Sequence, residues 1–172
     1  GDDLDVRVID SRSITAGLGM KVIAAAQMAA EGASVDEVVA GVEALIPRTR
    51  IFGALNTLEN LKKNGRIGGA QAMLGSLLSI KPIIDISSGE VEEAAKQRTR
   101  GKSLIWLRDR LFQEPDAEMG AVCSGMADDQ QELADLLSPR YSPEQITVWT
   151  IGPVIGSHGG PAIAGLCWHS NA

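Results

Sequence analysis

The sequence is poor in aromatic residues, with two Phe, three Trp and one Tyr among 172 positions. That scarcity counts against base-stacking platforms for single-stranded nucleic acid. It leaves Ala, Val, Ile, Leu and Met to build the core. Cysteine is as scarce: Cys123 and Cys167 are the only two, and no CxxC spacing occurs. A disulfide framework is thereby excluded, and a reducing, cytoplasmic setting is expected. Basic residues are the minority, 16 Lys and Arg against 22 Asp and Glu, for a net charge of -6 and a pI near 4.9. A general nucleic-acid-binding role would need a strong local basic patch against that field, so no nucleic acid partner is expected. No apolar run approaches the ~20 residues of a membrane helix, so stable membrane insertion is not expected. The opening Gly1-Asp2-Asp3 is acidic, unlike the basic start of a signal peptide.

What is present fits one globular domain. Charged residues make up 22% and hydrophobic ones 44%, near the averages of folded proteins. The length suits a single core without staples. Glycine is abundant, at 19 residues. No internal repeat or linker divides the chain. Gly1 stands where Met would open a chain, and a strand-like segment follows almost at once, which suggests a cut chain.

Leu4, Val6 and Val8 alternate with polar residues and Ile9 follows, the pattern of a short strand. Ser13 is placed to cap a helix from Ile14 to about Ala30 with Ile14, Leu18, Val22 and Ala26 on one face. Gly17 and Gly19 weaken that helix and suggest close backbone approach by a neighbour. Ser34-Val35-Asp36-Glu37 is a capping box for a helix that Pro47 ends. Thr49 to Leu55 reads as a strand. Thr57 is placed to cap a short basic helix, Leu58 to Lys63, with Gly65 just past its end. Ala70 to Ser79 is an apolar helix candidate. A strand around Ile83, Ile84 and Ile86, a turn at Ser87-Ser88-Gly89 and a return strand from Val91 come next. Lys96 to Gln113 reads as a helix, Met119 to Cys123 as a strand, and Asp128-Asp129 opens a helix carrying Leu133, Leu136 and Leu137. Ile146 to Ile151 and Ala162 to Trp168 are strands separated by a Gly/Pro loop. Strands alternating with helices predict an α/β fold with a mixed, mostly parallel sheet flanked by helices.

The loop Gly152 to Pro161 is the most informative stretch. It holds four Gly, two Pro and His158. Glycines can turn backbone N–H groups toward an anion, His158 adds a titratable donor, and Ser157 adds a hydroxyl. Recognition of a small carboxylate or phosphate by Gly156, Ser157 and His158 stands beside a purely structural turn. The stretch is neither a P-loop nor a GxSxG elbow. A hydrolase or phosphotransferase using Ser157 and His158 would need an orienting acid, and none is identifiable. Arg66 lies beyond Gly65, where a guanidinium could hold a carboxylate bidentately. Ser11, after the first strand, is either a pocket residue or a plain cap. His158, His169, Cys123 and Cys167 match no zinc spacing, and His169 lies in the terminal tail; no metal is expected. Lys96, Arg98, Arg100 and Lys102 read as a solvated helix face or a partner surface.

Three segments carry a family resemblance. The first is Val8-Ile9-Asp10-Ser11 followed by Gly17-Leu18-Gly19. The second runs from Asn56-Thr57-Leu58-Glu59-Asn60-Leu61-Lys62-Lys63 through Asn64-Gly65-Arg66-Ile67, with Leu77-Leu78-Ser79-Ile80-Lys81-Pro82-Ile83 behind it. The third is Gly152-Pro153-Val154-Ile155-Gly156-Ser157-His158 with Gly160-Pro161. In this order they resemble the C-terminal domain of the DegV family of bacterial fatty-acid-binding proteins, over essentially the whole chain. The resemblance implies a long-chain fatty acid held between two α/β domains, its tail in an apolar tunnel largely in this one. It implies His158 at the carboxylate, together with Ser/Thr side chains of an N-terminal domain outside this chain, and Arg66 near the pocket mouth. Some members serve as the acyl-binding subunit of fatty acid kinase, whose catalytic subunit binds ATP and phosphorylates the acid. The resemblance thus implies a non-catalytic binding role, with no cofactor. Two positions depart from the family pattern. Asn64 stands for the first Gly of KKGGRI, and Ala162 for the second Gly of GPG. With the N-terminal domain outside the chain, weak or no ligand binding by this chain alone is expected.

Overall fold

A computed structural model describes residues 4–74 and 80–170. The chain forms α1 (Thr15–Ala30), α2 (Val35–Leu45), β1 (Thr49–Ala54), α3 (Glu59–Lys63), β2 (Lys81–Asp85), β3 (Glu92–Gln97) and α4 (Arg100–Phe112). It continues with β4 (Glu118–Ser124), α5 (Ala127–Leu137), β5 (Val148–Thr150), α6 (Pro153–Gly159) and β6 (Ala164–His169). Short 3₁₀ turns occupy Gly68–Met73 and Pro143–Gln145. The helix expected over Ala70 to Ser79 is represented by the first of these turns, and residues 75–79 lie outside the described residues.

One six-stranded sheet has the order β3-β2-β1-β6-β4-β5. The mixed sheet flanked by helices is as the sequence predicts, but it is mostly antiparallel rather than mostly parallel. Only β4 and β5 run parallel, and the other four neighbouring pairs are antiparallel. Alternation of strands and helices gives parallel neighbours when a crossover returns beside its own strand. Here the connection through α4 leaves the sheet edge at β3 and lands on the far side at β4. β6 then inserts between β1 and β4, antiparallel to both.

The segment expected as a first strand is an unpaired arm. The apolar side chains of Leu4, Val6 and Val8 are not buried by it: they are 85%, 74% and 96% exposed. Ser13 does not cap α1; its hydroxyl accepts from Lys21 Nζ at 2.6 Å. Leu18 and Val22, expected on one face with Ile14 and Ala26, are exposed, and α1 buries Ala16, Gly17 and Lys21 instead. The two glycines explain this arrangement. A methyl group on Gly17 would fall 2.5 Å from Ile51 Cδ1, and one on Gly19 would fall 2.2 Å from the Trp149 ring. The helix backbone therefore lies directly on the sheet, as the glycines predict. The capping box of α2 forms as expected, Glu37 N–H donating to Ser34 Oγ at 3.4 Å and Ser34 N–H to Glu37 Oε2 at 2.8 Å.

The sheet alternation sorts the core into two faces. α4 and α5 cover Phe52, Ile83, Val122, Leu166 and Trp168. Trp168 stacks on Phe52 with centroids 5.4 Å apart. α1, α3 and the Gly68–Met73 turn cover Ile51, Ile84, Cys123 and Cys167. The basic run is not one helix face: Lys96 belongs to β3 and pairs with Glu93 at 3.2 Å, and α4 begins only at Arg100, capped by Thr99. Arg100 is not solvated, because it forks onto Asp129 at the start of α5.

His169 closes β6 in register with Thr49, rather than lying in a tail. It is buried, with Nδ1 3.3 Å from Thr49 Oγ1. Burial, reinforced by the Lys21 and Arg48 cations, lowers its pKa from 6.5 to about 4. The unfolded chain therefore takes up this proton near pH 6.5 and the folded chain does not. Stability is full above pH 6.5 and is lost as the pH falls toward 4, by up to about 3 kcal/mol. Urea unfolding of His169→Gln between pH 7 and 4 is expected to lack that part of the slope. An unchanged slope would contradict a neutral buried imidazole.

Candidate functional site

The glycine-rich stretch after β5 is a helix, α6, and not a loop. Pro153 takes its first position, where a missing N–H costs nothing. Gly156 N–H donates to Gly152 O at 3.0 Å, and Gly160 N–H to Gly156 O at 2.8 Å. These donors are spent inside the helix, so the expected anion nest around Gly156 does not form. Gly160, at φ +88°, ends the helix.

α6 lies beside α3, and Asn64 ties them. Its Nδ2 donates to Ser157 O at 2.9 Å and to Asn60 O at 2.9 Å. Gly65 follows at φ +64°, reversing the chain past α3 and sending Arg66 to the exposed rim of a cavity of about 370 Å³. That cavity brings Arg66 and His158 together. Its remaining wall is largely aliphatic, with Ile14, Leu61, Ile84, Ile86, Ile155 and Ile163 prominent. A crevice of about 20 Å³ shares Ile14, Ile86, Ile155 and Ile163 and carries the apolar lining inward to Cys123 and Cys167. Cys123 and burial together push the Cys167 thiol well up, so it stays protonated and acts as a small apolar wall.

His158 Nδ1 is buried without a hydrogen-bond partner. A buried polar atom left unpaired is costly, and the residue that carries it lines the cavity. Ser157 Oγ donates back to Val154 O at 2.7 Å, and no hydrogen bond joins it to His158. Adjacent residues on a helix face different ways, so the Ser157–His158 dyad is not assembled. Ser11 is not brought to His158; it lines a separate groove beside α1 and α2. Its neighbour Arg12, which the sequence reading passed over, packs against Gly89 of the cavity wall, where an added methyl would lie 3.1 Å from its Cβ. Arg12 and Thr15 have φ +47° and +50°, a conformation that is uncommon without glycine and concentrates at functional sites. The aliphatic wall carried no sequence signal that separates it from ordinary core. Among the described residues no His/Cys/Asp/Glu cluster could hold a metal, and no helix is long and apolar enough to cross a membrane.

Comparison with known proteins bears directly on this arrangement. The DegV family model, described as "Uncharacterised protein, DegV family", matches residues 2–171. A DegV domain-containing protein of Clostridium acetobutylicum is 33% identical over 172 residues, which cover 98% of this chain and 60% of that protein. The solved structure of a DegV family protein from Thermus thermophilus, described by its fatty acid binding, is 32% identical with a TM-score of 0.85. The match covers 96% of this chain and 61% of that one. A fatty acid binding DegV family protein from Streptococcus agalactiae superposes with a TM-score of 0.86 at 26% identity, covering 98% of this chain and 61% of that one. The chain thus spans about 60% of the length of these relatives. The match in sequence and in fold runs across nearly every described element, α3 and α6 included, and the chain belongs to the DegV family.

Proposed function

We propose that the cavity between α3 and α6 binds a long-chain fatty acid, its carboxylate at His158 and Arg66 and its tail along the Ile14, Ile86, Ile155 and Ile163 wall. The observation that carries this reading is the unpartnered, buried Nδ1 of His158 in an aliphatic cavity that has one cation, Arg66, at its rim. A carboxylate accepts from an imidazole N–H, and a saturated chain takes the apolar remainder. The fatty-acid-binding relatives support the same ligand class. Further carboxylate contacts come, in this reading, from an N-terminal domain outside the chain. The role is non-catalytic and cytoplasmic: the bound acid is presented to a fatty acid kinase subunit, which supplies ATP chemistry, and exposed Arg66 faces that partner.

Titration with carboxyl-¹³C palmitate of a protein that carries this chain together with its N-terminal domain, followed by NMR, tests the site. Saturable binding is expected, weakened in His158→Ala by about 1.5–3 kcal/mol, the range for a hydrogen bond to a charged group, or roughly 10- to 150-fold. No saturable binding, or equal affinity in the variant, would overturn the assignment.

A further inference from the structure

The His158 cavity has a second cation at its edge. Arg12 lies across Gly89, a residue of the cavity wall: a methyl group on Gly89 would fall 3.1 Å from Arg12 Cβ and 3.3 Å from its Nε. Ile14, two positions on, lines the cavity itself. The backbone is bent to bring Arg12 there. Its φ is +47°, and Asp10 Oδ1 accepts its backbone N–H at 2.9 Å. A residue with a side chain keeps such a φ only where its surroundings hold it. Among the described residues no ion pair or side-chain hydrogen bond engages the Arg12 guanidinium, which is exposed. Arg66, the cation on the rim, meets only the backbone carbonyls of Asn64 and Gly65, at 3.5 and 3.4 Å. No Asp or Glu lines this cavity, although acidic residues outnumber basic ones 22 to 16 in the chain. In an acidic molecule, the edge of one apolar cavity thus carries two arginines without a carboxylate.

We propose that Arg12 is a further head-group residue of this site, its guanidinium reaching over Gly89 to pair with the ligand's carboxylate and so selecting the ionised acid over an uncharged lipid of the same chain length. The inference rests on the fatty acid reading of the His158 cavity and adds a determinant of specificity to it. An imidazole N–H alone discriminates weakly, because an alcohol oxygen also accepts from it. A guanidinium offers a planar fork that matches a carboxylate with two parallel bonds, and a hydroxyl cannot use both. Gly89, at φ +91° and without a side chain, leaves the path across the wall clear.

Decanoate and decanol share a chain length and differ in charge. Both are titrated, with NMR of the Ile155 and Ile163 methyls as the readout, into the protein that carries this chain together with its N-terminal domain. Decanoate is expected to bind about tenfold more tightly than decanol. Arg12→Gln is expected to weaken decanoate by about fivefold or more and to leave decanol within about twofold, so the selectivity falls. Arg12→Gly separates this role from a structural one. Glycine accepts the positive φ without strain, so the midpoint of urea unfolding is expected to stay or rise while decanoate affinity falls as in Arg12→Gln. Equal decanoate affinity in both variants, or an equal loss for decanoate and decanol, would overturn the proposal. So would a lowered unfolding midpoint with unchanged affinity in Arg12→Gln, the result if a carboxylate of the N-terminal domain takes the guanidinium. In each of these outcomes the unaltered protein still binds decanoate and the fatty acid reading stands; absence of binding by the unaltered protein would overturn both.

Discussion

Trp168→Ala is expected to lower the free energy of unfolding by about 3–5 kcal/mol, the range for emptying a large aromatic core position. Trp168 is fully buried in β6 between α4 and the neighbouring strands. Its ring stacks on Phe52 with centroids 5.4 Å apart, and the Arg110 guanidinium lies 5.9 Å from its centroid. Its Nε1 donates to Glu114 Oε2 at 2.9 Å. Truncation removes the packing, the aromatic pair and the hydrogen bond together. Trp168→Phe keeps the stack and removes the N–H, so its loss should be well under half as large. Urea unfolding followed by far-ultraviolet circular dichroism measures both. A loss below ~1 kcal/mol for the alanine variant would show that this face of the sheet is not organised around the indole.

Asp129→Ala is expected to cost a similar ~3–5 kcal/mol, for a different reason: it strands a largely buried charge. Arg100 Nε donates to Asp129 Oδ1 at 3.1 Å and Nη2 to Oδ2 at 2.5 Å, while Nη1 donates to Ala54 O at 3.0 Å. The fork therefore joins the starts of α4 and α5 to the end of β1. Removing the carboxylate leaves the guanidinium with one neutral acceptor. Replacing both partners, as Arg100→Met with Asp129→Leu, should recover much of the loss, because the desolvation penalty goes with the pair. A double variant as unstable as the single one would mean that the fork is needed for geometry and not only for charge balance.

These two anchors show what the sequence could and could not convey. Ser34 and Glu37, Pro47, and the pair Gly17 and Gly19 act within one turn or by lacking a side chain, and their effects were readable directly. The long-range facts were not. Nothing local in Arg100 distinguishes a fork onto Asp129, 29 positions away, from a solvated face. The alternation of Leu4, Val6 and Val8 describes a strand, but pairing is decided by partners, and the arm has none among the described strands. The glycines and prolines of Gly152 to Pro161 read as loop, since propensity penalises glycine in helices. Packing against α3 and Pro153 at the first turn outweigh that penalty. At the site, His158 and Arg66 were legible as a pair only through the family motifs, because 92 positions separate them. The aliphatic wall stayed hidden, since an isoleucine beside a cavity and one in the core carry the same letter.

The position of β6 has a consequence for how the molecule is made. It joins two half-sheets, β3-β2-β1 and β4-β5, by pairing residues 49–54 with 164–169 across some 110–120 positions. Contacts that distant slow folding, because the intervening chain must be closed before they return any energy. During synthesis on a ribosome, β1 and β4 emerge first and wait with open edges until β6 follows. α6 and Ile163, which carry His158 and part of the aliphatic wall, leave the exit tunnel just ahead of β6. The pocket is therefore among the last parts of the described chain to be born, and a nascent chain halted before residue 164 exposes two unpaired strands for a chaperone to shield.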